Sequence, residues 1–268
     1  MNTTVTTSAP RIALHCYTDK AIEGEAFVAD HVFSYIMSGT QDMWLGNKTY
    51  SFKAGDYRFF RRNQLAKYVK RPGLDGFQSI SVYMDQVTLR SMREEVDIAV
   101  PTRLTNANDP LQLLPPNDYF SSFIDSLSPY LKNDTALNSR IIPLKVRELV
   151  LILLQTHPGL GQPLFDFTAP GKIDLEAFMN EHYRYNVDLR RFAFLTGRSL
   201  STFKRDFQQL FQVTPNRWLV QRRLQEAHYL IKDKQKKPAD IYLDLGFEDL
   251  SHFSFAYKKA FGSAPTLH

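Results

Sequence analysis

A single cysteine, Cys16, stands in 268 residues. It has no partner for an intrachain disulfide, which suits a reducing compartment. No stretch approaches the roughly 20 apolar residues that a membrane span needs. The start, Met1 to Pro10, is polar and Thr-rich, without the basic head or apolar run of a signal peptide. These absences predict a cytoplasmic protein with no membrane partner. Catalytic signatures are equally scarce. There is no Gly-x-Ser-x-Gly elbow, no Walker loop and no metal-spaced cluster of His and Cys. His15 and His31 stand singly, without a His-x-His pair, which argues against a metal site and a metal-dependent enzyme. The expectation is a protein that is not an enzyme and takes no cofactor and no metal.

What is present suits about two domains: 268 residues, 43% of them hydrophobic and 23% charged. The net charge is +5. From Lys172 onward there are 16 Lys and Arg against 11 Asp and Glu, while the first 171 residues hold 17 of each. The whole excess therefore lies in the C-terminal part. Polyanion binding and a merely solvated basic surface both explain it.

Residues 11–100 read as β-rich. His31–Met37, Thr49–Lys53, Tyr57–Phe60 and Gln78–Met84 are short β-branched and aromatic runs between turn signals. Such spacing predicts a small barrel or double-sheet jelly roll. Residues 101–116 read as a connection. A helix over 118–131 would place Phe120, Phe123, Ile124, Leu127 and Leu131 on one face. A second is expected to open at Pro143, in its first turn. Its Leu144–Gln155 is apolar nearly all round, as in a core or against a second copy of the chain. Residues 157–171, with three Pro and three Gly, are the expected linker.

Beyond that point the chain nearly repeats itself. Leu200, Phe203, Phe207, Leu210 and Phe211 form one apolar stripe, and Leu250, Phe253, Tyr257, Ala260 and Phe261 another with the same spacing. Each suits a helix buried on one face. Ser199 and Asp249 are placed to cap them, and Pro215 and Pro265 follow them. A short helix ending at glycine precedes each stripe: Asp188–Thr196 before Gly197, and Ala239–Leu245 before Gly246. Glycine allows the left-handed turn between two close helices. Two helix-turn-helix units result, over about 188–211 and 238–262, joined by a helix that Thr214-Pro215 opens. Paired structural hairpins are the plain alternative, which one unit alone would favour and two in the same register do not.

These residues carry a family resemblance. The first unit (LRRFAFLTGRSLSTFKRDFQQLFQVTP), the connector (RWLVQRRLQEAHYLI) and the second unit (PADIYLDLGFEDLSHFSFAYKKAFGSAP) closely resemble the DNA-binding domain of AraC/XylS-type transcription regulators. Residues 11–156 resemble the cupin-like sensing and dimerisation arm of such regulators, with strands over about 11–100 and helices over about 118–156. The resemblance implies an α+β protein: a β-rich cupin-like or jelly-roll domain with a helical dimerisation segment, residues 157–171 as linker, and an all-α DNA-binding domain over 172–268. It implies a regulator, expected to be an activator, whose partners are double-stranded DNA, RNA polymerase, a second copy of the chain, and a small-molecule effector or regulatory protein. The alternatives are a non-specific architectural DNA-binding protein and a sensor whose helical domain is a protein-docking module.

The second helix of each unit would enter the major groove. On the first, Ser201, Thr202, Lys204, Arg205 and Gln208 lie opposite the apolar stripe. In the family the positions matching Ser201, Lys204 and Arg205 commonly face bases. On the second, the outward residues are Leu250, Ser251, Ser254 and Phe255, with Lys258. Phe255 departs from the family, where that position is usually basic. It is left a thymine methyl or a packing role. Arg217, Arg222, Arg223, Lys258 and Lys259 are the phosphate candidates, although Arg222 and Arg223 could pair within the domain instead. In the first domain Phe33, Tyr35, Trp44, Tyr50, Phe52 and Phe60 could line a ligand pocket or simply fill the barrel.

Overall fold

The computed structural model describes residues 10–18, 20–46, 48–95, 109–131 and 138–265. They divide into two compact units, one ending at Thr168 and the other beginning at Ala169. The architecture is α+β, as expected: strands and covering helices in the first unit, helices alone in the second.

The first unit pairs two antiparallel sheets. Its strands are β1 (Arg11–Tyr17), β2 (Ile22–Val28), β3 (His31–Ser38), β4 (Thr40–Leu45), β5 (Lys48–Lys53), β6 (Tyr57–Phe60), β7 (Gln64–Arg71), β8 (Phe77–Met84) and β9 (Leu111–Leu114). One sheet has the order β1-β8-β3-β6-β9, the other β2-β7-β4-β5. The period-2 alternation of a strand sorts its side chains between two cores. On β3, Val32 and Ile36 point between the sheets, where they meet Met43, Leu45, Phe52, Phe60 and Phe77. Phe33 points the other way, towards helices. Both faces of β3 are covered, so nearly every residue from His31 to Ile36 is buried.

Those helices are α1 (Gln86–Glu95), α2 (Asp118–Leu131), α3 (Asn138–Thr156) and, after a 3-10 turn at Pro158–Leu160, α4 (Gly161–Leu164). The Asp85 carboxylate accepts from Thr88 N (3.0 Å) and caps α1. Asn117 Oδ1 accepts from Phe120 N (2.9 Å) and caps α2. On α3, Val146, Leu149, Val150 and Leu153 are buried against the outer face of the five-stranded sheet, with Ile152 and Leu154 half-buried beside them. Only Leu144 and Leu151 remain as exposed large apolar side chains of this helix.

Four expectations change. The helix expected to open at Pro143 opens at Asn138, so Pro143 lies inside it. Residues 86–95 are helical within the region read as β-rich; with only Leu89 and Met92 buried, α1 has too short an apolar stripe to show a helical period. Residues 111–114 are a strand, fixed by pairing with β6, while 101–108 lie outside the described residues. The linker is shorter than 157–171, because Leu160 and Leu164 are buried in the first unit's core.

The second unit contains α5 (Leu175–His182), α6 (Leu189–Leu195), α7 (Leu200–Phe211), α8 (Pro215–Lys232), α9 (Pro238–Ile241) and α10 (Leu250–Phe261). Helix α5, capped by Asp174 accepting from Ala177 N, was not among the expected elements. No helix among the described residues is long and apolar enough to cross a membrane.

Candidate nucleic-acid interface

Each helix-turn-helix is built on a glycine that its surroundings require. Gly197 has φ +65°, and a Cβ there would fall 2.4 Å from backbone atoms of Gly171. Gly246 has φ +81°, and its Cβ would lie 2.5 Å from the Arg184 carbonyl oxygen and 2.9 Å from the Arg223 guanidinium. Any larger residue is strained twice, by backbone conformation and by contact. After each turn the next helix is capped as expected: Ser199 Oγ accepts from Thr202 N (3.2 Å) and Asp249 Oδ1 from His252 N (2.6 Å).

The two second helices dock at opposite ends of α8. Phe203 and Phe207 of α7 are fully buried. Phe207 meets Trp218, near the start of α8, edge-on at 5.6 Å, and Phe211 packs on the same ring at 4.8 Å. Phe253 and Tyr257 of α10 are fully buried against Leu224, Ala227 and Ile231 of α8. The Tyr257 hydroxyl lies 2.8 Å from His228 Nδ1. At corresponding positions, then, Phe203 matches Phe253 and Phe207 matches Tyr257. The stripes fray at their ends: Leu210 and Leu250 are exposed, and so is Ala260.

Opposite these buried faces, Ser201, Lys204, Arg205 and Gln208 are exposed on α7. Thr202 is half-buried, its hydroxyl 2.9 Å from Ser199 Oγ. It serves the cap. Arg205 is 74% exposed and touches Asp206 (3.2 Å). Asp206 is also held by Arg198 Nε (3.1 Å) and Lys172 Nζ (3.4 Å). These cations, Arg198 foremost, keep its carboxyl below the usual range. A groove of about 410 Å³ runs beside Lys204, lined also by Asp188, Arg190 and Asn216. Arg190 is an exposed cation here that the sequence reading did not single out. On α10, Ser251, Lys258 and Lys259 are exposed and Ser254 is half-buried. Phe255 is 70% exposed, so packing within this unit does not account for it.

The phosphate candidates divide. Arg217 is exposed in the first turn of α8. Arg222 is partly committed, with its guanidinium 4.7 Å above the Tyr183 ring and 3.9 Å from Glu226. Arg223 is corrected. It is 7% exposed and donates to three carbonyls: Tyr183 O (2.8 Å), Tyr185 O (2.8 Å) and Gly246 O (2.7 Å). A buried guanidinium spent on backbone acceptors has no fork left for a phosphate.

The six aromatics that could have lined one pocket are divided between different faces of the two sheets. Phe33 packs under the covering helices at 5.2 Å from Phe120, and Tyr35 stacks on Tyr57 beside that core. Tyr50, Phe52 and Phe60 belong to the core between the sheets. Trp44 alternates with the inward Met43 and Leu45 on β4 and takes the opposite face. Among the described residues no three His, Cys, Asp or Glu side chains group as metal ligands.

Two family profiles match this chain: a helix-turn-helix domain over residues 192–267, and the ExsA N-terminal regulatory domain over residues 31–161. The virulence regulon transcriptional activator VirF of Yersinia enterocolitica is 26% identical over 246 residues, 87% of this chain and 86% of that protein. The HTH-type transcriptional regulator ExsA of Pseudomonas aeruginosa is 30% identical over 125 residues, 46% of this chain and 45% of that one. The HTH-type transcriptional activator RhaS of Escherichia coli is 32% identical over 91 residues, 34% and 33% of the two chains.

Proposed function

This chain belongs to the AraC/XylS-type transcription regulators, and we propose that it activates transcription from a DNA site that its two recognition helices, α7 and α10, read unequally. The observation that carries the reading is the division of each helix into two faces. Phe203 and Phe207, and Phe253 and Tyr257, are buried; Lys204, Arg205 and Gln208, and Ser251, Phe255 and Lys258, are exposed. Rigid attachment to α8 puts the two helices at a fixed spacing, suited to major-groove segments roughly 10–10.5 base pairs apart on one DNA face. Arg205 would supply a fork for guanine, with Ser201, Lys204 and Gln208 beside it. Leu250, Ser251, Ser254 and Phe255 would supply apolar and hydroxyl contacts. Arg217, Lys258 and Lys259 would hold phosphates.

In this reading residues 172–268 bind DNA in the cytoplasm, and the unit ahead of them receives a regulatory signal. RNA polymerase is the expected partner, since VirF and RhaS are activators by name. A second copy of the chain is the expected assembly partner, through α3, whose Leu144 and Leu151 remain exposed. The test combines site selection from random DNA, competition with scrambled duplex, and transcription in vitro from the selected site upstream of a promoter. A selected sequence that resists scrambled competitor and raises transcript yield is expected. Equal competition by scrambled DNA would make the protein a non-specific architectural binder. No DNA binding by a folded protein would leave the helical unit as a docking module.

A further inference from the structure

The groove beside Lys204 gathers positive charge from three helices. Arg190 of α6, Lys204 of α7 and Arg223 of α8 line its 410 Å³, with one carboxylate, Asp188. Arg223 is buried on three backbone carbonyls, so it adds charge behind the floor and no free donor. Asp188 Oδ1 accepts from Arg190 N (2.7 Å) and caps α6. Arg190 and Lys204 are both exposed. Among the described residues neither side chain has an ion-pair partner. Like charges sharing one cleft raise its potential and draw an anion to it.

The walls of the groove decide which part of DNA it meets. Lys204 shares the cleft with Arg190, in the first turn of α6, and Asn216, in the first turn of α8. Arg205 lies about 100° further round α7 and touches Asp206 instead. A helix with its side chains is about 10–12 Å across, and the major groove is about 12 Å wide. With α7 in the groove there is no room for α6 or α8, so their ends lie over the flanking backbone. A cation that shares a cleft with those ends therefore faces phosphates and not base edges.

We propose that Arg190 and Lys204 form one clamp on the phosphate backbone of a single DNA strand, with Asn216 as a neutral donor beside them. The proposal rests on the DNA-binding reading above and sharpens it. Lys204 leaves the base-reading set, and α7 reads with Arg205, Ser201 and Gln208. This departs from the family pattern, in which the position of Lys204 commonly faces bases. The chemistry agrees with the division. An ammonium is a point charge that suits a phosphate oxygen, whereas the planar fork of Arg205 suits guanine.

The experiment measures DNA binding by the full chain against salt, on the selected site and on its single-base variants. Arg190→Gln and Lys204→Gln should each lower the salt slope by about one, which at about 0.1 M salt amounts to about 8-fold in affinity on every sequence. Arg190→Lys should keep most of the affinity, because the clamp needs charge. Site selection with Lys204→Gln should return the parent's sequence. Methylphosphonate substitution, one phosphate at a time, locates the clamp. The phosphates whose neutralisation stops mattering to Arg190→Gln and to Lys204→Gln should be one and the same, or neighbours on one strand. Both side chains are exposed, and circular dichroism checks that each variant is folded. A new preferred sequence with Lys204→Gln would overturn the proposal. So would unaltered affinity and slope with Arg190→Gln, or insensitive phosphates on opposite strands. Each of these results leaves the regulator reading standing while the parent prefers its selected site. A folded parent that binds no DNA would overturn both.

Discussion

Arg223 Nη1 donates a 2.7 Å hydrogen bond to the carbonyl of Gly246, so the middle of the connecting helix holds the turn of the second helix-turn-helix. The same guanidinium binds Tyr183 O and Tyr185 O, just ahead of the first unit. Lysine cannot span three carbonyls, and its shorter reach leaves buried acceptors unmet. Arg223→Lys should lower the urea stability of the helical unit by about 2 kcal/mol or more. The salt dependence of DNA binding by the folded fraction should not change. Unaltered stability with a salt slope reduced by about one would return Arg223 to the phosphate contacts.

Arg205 is exposed, and its ion pair with Asp206 is a surface one, worth little. Arg198 and Lys172 hold Asp206 without it, so Arg205 is free to turn to a base edge. Arg205→Ala should cost about 1–3 kcal/mol on the selected site and relax one or two base positions. Lys258→Ala should weaken all sequences alike and lower the salt slope by about one. Site selection and salt titration with both variants check this. The same loss on every sequence from Arg205→Ala would make it a phosphate contact.

The fragment from Ala169 to His268 contains both units, α8 and all five net positive charges. It should keep the full chain's sequence preference, with lower affinity if the first unit supplies dimerisation. Circular dichroism establishes that the fragment is folded, and competition binding reads its preference. A folded fragment indifferent to sequence would move part of the readout into the first 168 residues.

His31 is 1% exposed and stacks on Phe59. Its Nδ1 accepts from Arg62 N at 3.2 Å, and its Nε2 is buried without a partner. Burial, and then the charges of Arg62 and Arg61, lower its pKa to about 3. The folded state therefore keeps the ring neutral while the unfolded chain takes up a proton. This stabilisation is complete above about pH 6.5 and is lost as pH falls towards 3. Between pH 7 and pH 5 the loss is about 2 kcal/mol. His31→Gln should flatten the stability of the first unit by that amount across this window, and an unchanged slope in urea unfolding would show that His31 titrates normally.

The helical unit was the more legible half because its signals are local. The spacing from Leu200 to Phe211 recurs from Leu250 to Phe261, and the glycines and caps sit where each turn needs them. What escaped depends on contacts distant in sequence. Arg222 and Arg223 look alike in a row of basic residues; carbonyls 23 to 40 residues away decide that the second is buried. The strand β9 exists because β6 has a free edge to pair. The aromatics of the first unit could be named but not sorted, since the pleat and register send Phe33 and Phe60 to different cores. Arg58 lies in the run Tyr57–Phe60, all four residues of which are buried. Nothing in four letters tells which face a lone arginine takes.

Phe255 gives the sharpest test of unequal reading. It lies on α10 with 70% of its surface exposed, where the family pattern usually has a basic residue. Most of its surface is left uncovered by the described residues of its own unit, and it cannot donate a hydrogen bond. An aromatic ring in the major groove can recognise one base feature, the C5 methyl of thymine. The selected site should therefore contain a thymine opposite α10. Replacing that thymine by uracil removes only the methyl. It should cost the parent protein roughly 1 kcal/mol, on the scale of a buried CH₂, and cost Phe255→Ala almost nothing. Phe255→Arg should lose the thymine preference and gain one for guanine, since a guanidinium pairs with O6 and N7. The coupling between ring and methyl, read from the four affinities of parent and Phe255→Ala on thymine and uracil sites, is the deciding quantity. A coupling near zero would show that Phe255 does not read the methyl, and the second helix would then position the protein on DNA without choosing its sequence.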